Sequence, residues 1–220
     1  MNAPRGQDGL LSPDSVLHRA AERLARQFGG MVSEETAERV VFESYTGLAR
    51  TAAVNTHLPT VAEKFAHDRL VALAQSRGLI GKPVPEILYV CVQNSGRSQM
   101  AAAITRHLAG DRVHVRSAGS QPAAGVLPGV VAVLEEAGIH LADEFPKPLT
   151  DDVVRAADAV VTMGCGDACP LYPGKRYLDW DLNDPSDLDL DGLRAVRDEI
   201  QQHVEQLLTE LAPGLAAPRS

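Results

Sequence analysis

The stretch Glu86-Ile-Leu-Tyr-Val-Cys91-Val-Gln-Asn94-Ser95-Gly96-Arg97-Ser98 reads as an apolar strand, a loop of Cys-x5-Arg form and the start of a helix. Ile87 to Val90 form a short apolar run suited to a buried parallel strand, and Met100, Ala101, Ile104 and Leu108 recur at helical spacing behind the loop. A strand ending in such a loop presents backbone N–H groups to a tetrahedral oxyanion. Cys91 would meet the positive end of the following helix with the Arg97 guanidinium beside it, and both favour a thiolate nucleophile at neutral pH. Gly96 lacks a Cβ where the backbone must approach the anion, and Ser98 offers a hydroxyl to Cys91 or to the helix N-terminus. The bare spacing is common by chance; its strand and helix flanks give it weight.

Outward from this loop, strands are expected near 86–91, 112–117, 158–163 and 176–180. They alternate with helices near 98–109, 126–137, 150–156 and 189–211. That alternation predicts an α/β fold with a four-stranded parallel sheet and helices on both faces. Gly81-Lys-Pro83-Val-Pro85 is a linker, so a catalytic domain is expected over 84–211 with a flexible tail at 212–220.

Residues 1–80 read as an all-α three-helix bundle. Ser12 caps the first helix, whose face is Leu17, Ala21, Leu24 and Phe28 and whose end is Gly29-Gly30. Ser33 caps the second, with Ala37, Val41, Tyr45 and Leu48 on one face. The third runs from about Thr56 through Leu58, Val61, Ala62, Phe65, Leu70 and Leu73 to Gly78. So small a bundle buries little surface, so it is expected to pack on the catalytic domain or to pair two copies of the chain. A DNA-reading bundle is the rival. Residues 1–80 hold nine Lys or Arg against nine Asp or Glu, which speaks against nucleic acid.

The net charge of −8 therefore arises wholly after residue 80. Asp179, Asp181, Asp184, Asp187, Asp189 and Asp191 cluster there, so an oxyanion must be attracted by the loop itself and not by the long-range field. With 45% hydrophobic residues the chain can form a real core, and neither a membrane span nor an export signal is legible, so a cytoplasmic protein is expected. Its three cysteines, an odd number, fit working thiols better than a structural disulfide framework.

Cys165 follows the strand Ala159 to Met163 and leaves the same sheet edge as Cys91. The Gly- and Pro-rich segment 164–174 is expected to be mobile. Extended, the interval from Cys165 to Cys169 spans about 13 Å; wound into a helical turn, the two Cα atoms approach to about 6 Å, within disulfide range. A zinc half-site is the alternative, but no second Cys pair or His cluster accompanies these residues, and no metal is expected.

These segments together resemble the low-molecular-weight tyrosine phosphatase superfamily and, within it, the thioredoxin-coupled arsenate reductases. The resemblance rests on Cys91-Val-Gln-Asn94-Ser-Gly-Arg97-Ser98-Gln-Met-Ala, Ser117-Ala-Gly119, Thr162-Met-Gly-Cys165-Gly-Asp-Ala-Cys169-Pro and Asp184-Pro185, in order over residues 84–211. It implies a phosphatase-like fold, arsenate as substrate, and an oxyanion held by Asn94, Ser95, Gly96, Arg97 and Ser98. Asp184 would be the general acid, with Asp181 its nearest rival, and Ser117 and Gly119 would support the loop from behind. It further implies that Cys91 attacks arsenate, that a Cys91–Cys165 disulfide forms, and that Cys169 resolves it to Cys165–Cys169 for thioredoxin to reduce. No cofactor is called for. A homodimer through the N-terminal helices is also implied. A tyrosine phosphatase, a reductase coupled to mycothiol or glutathione through glutaredoxin, and a noncatalytic oxyanion sensor are the alternatives.

Overall fold

The computed structural model describes residues 12–51, 57–141, 144–164 and 169–211. Cys165, the expected tail 212–220, the first eleven residues and the expected helix start at Thr56 lie outside them. The chain divides by contact into two compact units, with the division inside its third helix between Leu70 and Val71.

The first unit is helical. In α1 (Pro13–Gln27) the Ser12 Oγ accepts a hydrogen bond from Ser15 N (3.3 Å), and in α2 (Glu34–Ala49) Ser33 does the same for Thr36 N (3.2 Å). Each cap satisfies an amide that has no partner within the helix. Leu17, Ala21, Leu24 and Phe28 are buried as the apolar period requires. On α2 the buried stripe is Ala37, Val40, Val41, Ser44 and Leu48, with Tyr45 only half-buried. The cause is Arg69 on α3 (Leu58–Ser76), which is buried and donates to Ser44 Oγ (3.2 Å) and Glu43 Oε2 (2.9 Å). A buried guanidinium needs acceptors, and it draws a polar residue inward where periodicity placed an aromatic one.

The second unit carries a four-stranded sheet of order β2-β1-β3-β4, formed by β1 (Glu86–Cys91), β2 (His114–Gly119), β3 (Ala159–Met163) and β4 (Arg176–Asp179). All three pairings are parallel. Every residue of β1 is buried, as suits a central strand covered on both faces. The face of Ile87, Tyr89 and Cys91 packs with α4 (Arg97–Ala109), α5 (Pro128–Glu136) and α7 (Leu190–Leu211). Leu88 and Val90 face α6 (Asp151–Ala156) and Ala72 of α3. Each fully buried aliphatic side chain contributes roughly 1.5–3 kcal/mol of transfer free energy. The wholly buried Tyr89 hydroxyl pairs with Thr105 Oγ1 (2.8 Å), fixing α4 on the sheet.

β2 begins two residues later than the sequence indicates. Arg112 closes a short 3-10 turn (Gly110–Arg112) and donates to the carbonyls of Ala109 (2.9 Å) and Leu108 (3.0 Å), capping α4 and delaying the strand. The strand also runs two residues past its expected end, so that both Ser117 and Gly119 lie in β2. Register is secured at the other end by Glu86, a fully buried carboxylate that accepts from Arg116 Nε (2.7 Å) and pairs with His114 (3.1 Å). Burial pushes this carboxyl up, but the His114 hydrogen bond and the Arg116 charge outweigh it and hold it below the ordinary glutamate value. No helix among the described residues is long and apolar enough to cross a membrane.

Candidate functional site: an anion loop at the carboxyl edge of the sheet

Cys91 ends β1 opposite Gly119 of β2 and Met163 of β3, so the loops after all three strands open at one edge. Parallel α/β sheets bind ligands at such edges. Between Cys91 and α4, every carbonyl is occupied from outside the loop. Ser120 N donates to Cys91 O (3.2 Å), Gln121 N to Val92 O (2.8 Å), Ala123 N to Gln93 O (2.9 Å) and Leu127 N to Ser95 O (2.9 Å). Gln99 Nε2 donates to Asn94 O (3.2 Å) and Met100 N to Gly96 O (2.9 Å). A trans peptide points its N–H away from its C=O, so this outward set turns the following amides to the inner side of the loop, where the Asn94 N–H reaches Cys91 Sγ. Inward N–H groups at the start of a thirteen-residue helix are an arrangement that can hold a tetrahedral anion.

Asn94 is the keystone of the loop. It is the one non-glycine residue among those described with positive φ (48°), a conformation that asparagine tolerates. Its amide N–H donates to Cys91 Sγ (3.2 Å) and its Nδ2 to Ser98 Oγ (2.8 Å), while Lys147 N donates to its Oδ1 (2.8 Å). Ser98 Oγ lies 2.9 Å from Cys91 Sγ. The Ser98 hydroxyl accepts from Asn94 Nδ2 and still has its own hydrogen available for the sulfur. The Asn94 amide and the Ser98 hydroxyl thus converge on Cys91 Sγ.

Arg97, the first residue of α4, donates to Asp184 Oδ2 (3.1 Å) and to Leu182 O (3.2 Å). It also lies against Gly164, whose added Cβ would come within 3.1 Å of Arg97 Nη1 and whose φ is +71°. Asp184 caps the 3-10 turn Pro185–Asp187 and accepts from Ser186 N (3.0 Å) and Ser186 Oγ (2.7 Å). These bonds from Ser186 hold its carboxyl below the usual aspartate value, burial opposes them, and the Arg97 charge adds to the lowering. Asp184 is therefore ionised at neutral pH while it faces Arg97. Of the two candidate acids, Asp184 is the one whose carboxylate the fold brings to Arg97, and Asp181 is exposed.

The open side of Gly96 faces the Asp184-Pro185 turn: a Cβ there would sit 2.4 Å from Pro185 Cγ. This glycine lets the acid-bearing turn lie on the anion loop, a use that its place in the sequence does not disclose. Gly119 plays a similar part behind the loop, where a Cβ would meet Val92 O at 2.7 Å and Asn94 N at 2.9 Å. Ser117 Oγ is buried without a hydrogen-bond partner among the described residues and serves packing.

Cys169 is placed apart from these groups. It is buried in the cluster of Leu88, Val90 and Val160 on the α6 face, whereas Cys91 belongs to the opposite face. Cys165 lies outside the described residues, directly after Gly164. Among the described residues no group of His, Cys, Asp or Glu is arranged to hold a metal ion. Reading the sequence alone misses Gln99, Lys147, Ser186 and the 120–127 segment. Gln99 had a signal, a polar residue on the buried face of an apolar helix, and Ser186 had another, a hydroxyl two residues after an aspartate.

Comparison with known proteins follows the same division of the chain. Residues 17–74 match the protein-tyrosine-phosphatase-like N-terminal domain. A solved structure of a thioredoxin-dependent arsenate reductase from Corynebacterium glutamicum superposes with a TM-score of 0.85 at 49% identity, covering 91% of this chain and 98% of that one. Arsenate reductase 1 of Staphylococcus epidermidis is 35% identical over 123 residues, 54% of this chain and 92% of its own length. The glutaredoxin arsenate reductase of Synechocystis sp. is 30% identical over 130 residues, 58% and 98% of the two chains. With residues 86–216 matching its model from the first residue of β1 onward, the chain belongs to the low molecular weight phosphotyrosine protein phosphatase family.

Proposed function

We propose that this chain reduces arsenate to arsenite with electrons from its own thiols, which thioredoxin restores. The observation that carries the reading is the 49% identity, over 91% of the chain, to a thioredoxin-dependent arsenate reductase, in a protein that adds two cysteines beyond β3 to the Cys91 loop. Arsenate enters the ring of loop amides and takes the Arg97 guanidinium from Asp184. The negative charge that replaces Arg97 raises the proton affinity of Asp184, and the carboxyl becomes a proton donor. The Cys91 thiolate then attacks arsenic, an S–As bond forms, and an As–OH bond breaks, its hydroxyl leaving as water with the proton from Asp184.

The Cys165 thiolate attacks Cys91 Sγ. An S–S bond forms, the S–As bond breaks and its electron pair stays on arsenic, which departs as arsenite. Cys169 as thiolate attacks Cys165 Sγ and frees Cys91, and a thioredoxin dithiol reduces the resulting Cys165–Cys169 disulfide. The cysteines supply both electrons, so the reading calls for no bound cofactor. Phosphate-ester hydrolysis is the rival that the family name raises. Ser186, Asp187 and Leu188 follow Pro185, the Ser186 hydroxyl is turned to Asp184, and aromatic residues make up 4% of the chain, which favours a small inorganic oxyanion over a phenol ester. The Synechocystis relative raises glutaredoxin as the rival electron source. Cys165 and Cys169 favour thioredoxin.

The test is a chemical quench of the Cys169→Ser variant with arsenate, thioredoxin and its reductase. About one arsenite per chain is expected, followed by a stall with Cys91 and Cys165 joined. Sustained turnover by the variant would remove Cys169 from the relay. The same reading includes pairing of two copies through α1–α3, whose unit is too small to be very stable alone. Sedimentation of the full-length protein at micromolar concentration should give a dimer, and a monomer would end that part of the proposal.

A further inference from the structure

The resolving role proposed for Cys169 requires its sulfur to leave the α6 face, where it is 8% exposed, and reach a loop at the sheet edge. The residues after it are fastened from β4 and from α6. On β4, the Tyr177 hydroxyl donates to Pro170 O (3.2 Å) and accepts from Tyr172 N (2.7 Å), closing the segment that begins one residue beyond Cys169. Tyr172 is itself clasped to α6. The Arg155 guanidinium lies 4.1 Å from the centre of its ring, its hydroxyl bonds to Asp151, and Arg155 Nε donates to the same carboxylate (2.6 Å). Burial, and then the neighbouring Cys169, push the Tyr177 phenol above its ordinary value, so the hydroxyl keeps its proton at neutral pH.

We infer that Tyr177 is a positioning residue for the relay: its hydroxyl latches Pro170–Tyr172 and holds Cys169 on the α6 face until the cysteine loop rearranges. This rests on the three-cysteine reading for its purpose, while the latch itself stands on geometry. Neither bond can form from phenylalanine, which otherwise keeps the ring in the apolar cluster. Tyr172 N–H and Pro170 C=O then lose a partner, and the segment opens more often.

The experiment uses the full-length, reduced protein without arsenate or thioredoxin. It is pulsed with iodoacetamide, and alkylation at Cys91 and Cys169 is quantified by peptide mass spectrometry. Tyr177→Phe should raise the Cys169 rate about five- to tenfold and leave the Cys91 rate unchanged. Arg155→Ala, which weakens the clasp from the far side, should give a smaller rise at the same thiol. An unchanged Cys169 rate in both variants, or an equal rise at both thiols, would overturn the latch. Because no turnover is involved, that failure is distinct from a failure of the relay, which the Cys169→Ser quench reads.

Discussion

Cys91→Ser is expected to abolish arsenate reduction, with a fall of at least about 10⁴-fold, because no other group in the loop can form the bond to arsenic. The substitution is nearly isosteric, and the features that bind an anion do not depend on sulfur. The carbonyls of residues 91–96 are held outward by Gln99, Met100 and the 120–127 segment, and Asn94 is fixed by Ser98 and Lys147. Phosphate affinity by titration calorimetry should therefore stay within a few-fold of the parent. Turnover above about one per cent in this variant would show that the first covalent step lies elsewhere.

The second large effect is expected at Gly119→Ala, a single methyl behind the loop. Its Cβ would lie 2.7 Å from Val92 O, 2.9 Å from Asn94 N and 3.0 Å from Asn94 Cβ. Two of these are backbone atoms that no rotamer change can move. Gly119 cannot retreat either, because its N–H donates to Lys147 O (2.8 Å) and its C=O accepts from Leu149 N (2.9 Å). The anion loop must shift by a substantial fraction of an ångström. A displacement near 1 Å at a reacting centre costs about 10²-fold in rate, and overpacking of this kind costs about 1–3 kcal/mol of stability. Denaturant unfolding and phosphate titration check the two effects, and a variant matching the parent in both would show that β2 does not buttress the loop.

What was legible in the sequence followed from strong local signals. The run Ile87 to Val90, the glycine-bearing Cys-x5-Arg loop and the helical spacing of Met100, Ala101, Ile104 and Leu108 placed β1, the loop and α4 to within a residue. The capping serines placed α1 and α2 for the same reason: a hydroxyl just before an apolar period has one local use. Losses came where a distant group overrides the local pattern. Arg69 drew Ser44 inward over Tyr45, and Arg112 folded back on α4 and delayed β2. The use of Gly96 depends on Pro185, 89 positions away in the chain, and the carbonyl partners of the loop lie in a segment with no motif of its own. Cys169 is buried on the face against which Tyr172 and Tyr177 pack, which its spacing from Cys165 did not disclose.

The Arg97–Asp184 ion pair has a consequence for the proposed chemistry. Arg97 and Asp184 are ion-paired, so in the proposed mechanism substrate that takes Arg97 would engage the clamp and the proton donor in one event. Binding of a dianion would neutralise the guanidinium and reverse the electrostatic environment of the carboxylate.

The most direct test of arsenate reduction is the rate of arsenate-dependent NADPH oxidation by the wild-type chain with thioredoxin and thioredoxin reductase. Continuous oxidation is expected, with one arsenite formed per NADPH consumed. Oxidation no faster than in the arsenate-free mixture, with the thioredoxin system shown to be active on another disulfide, would contradict it.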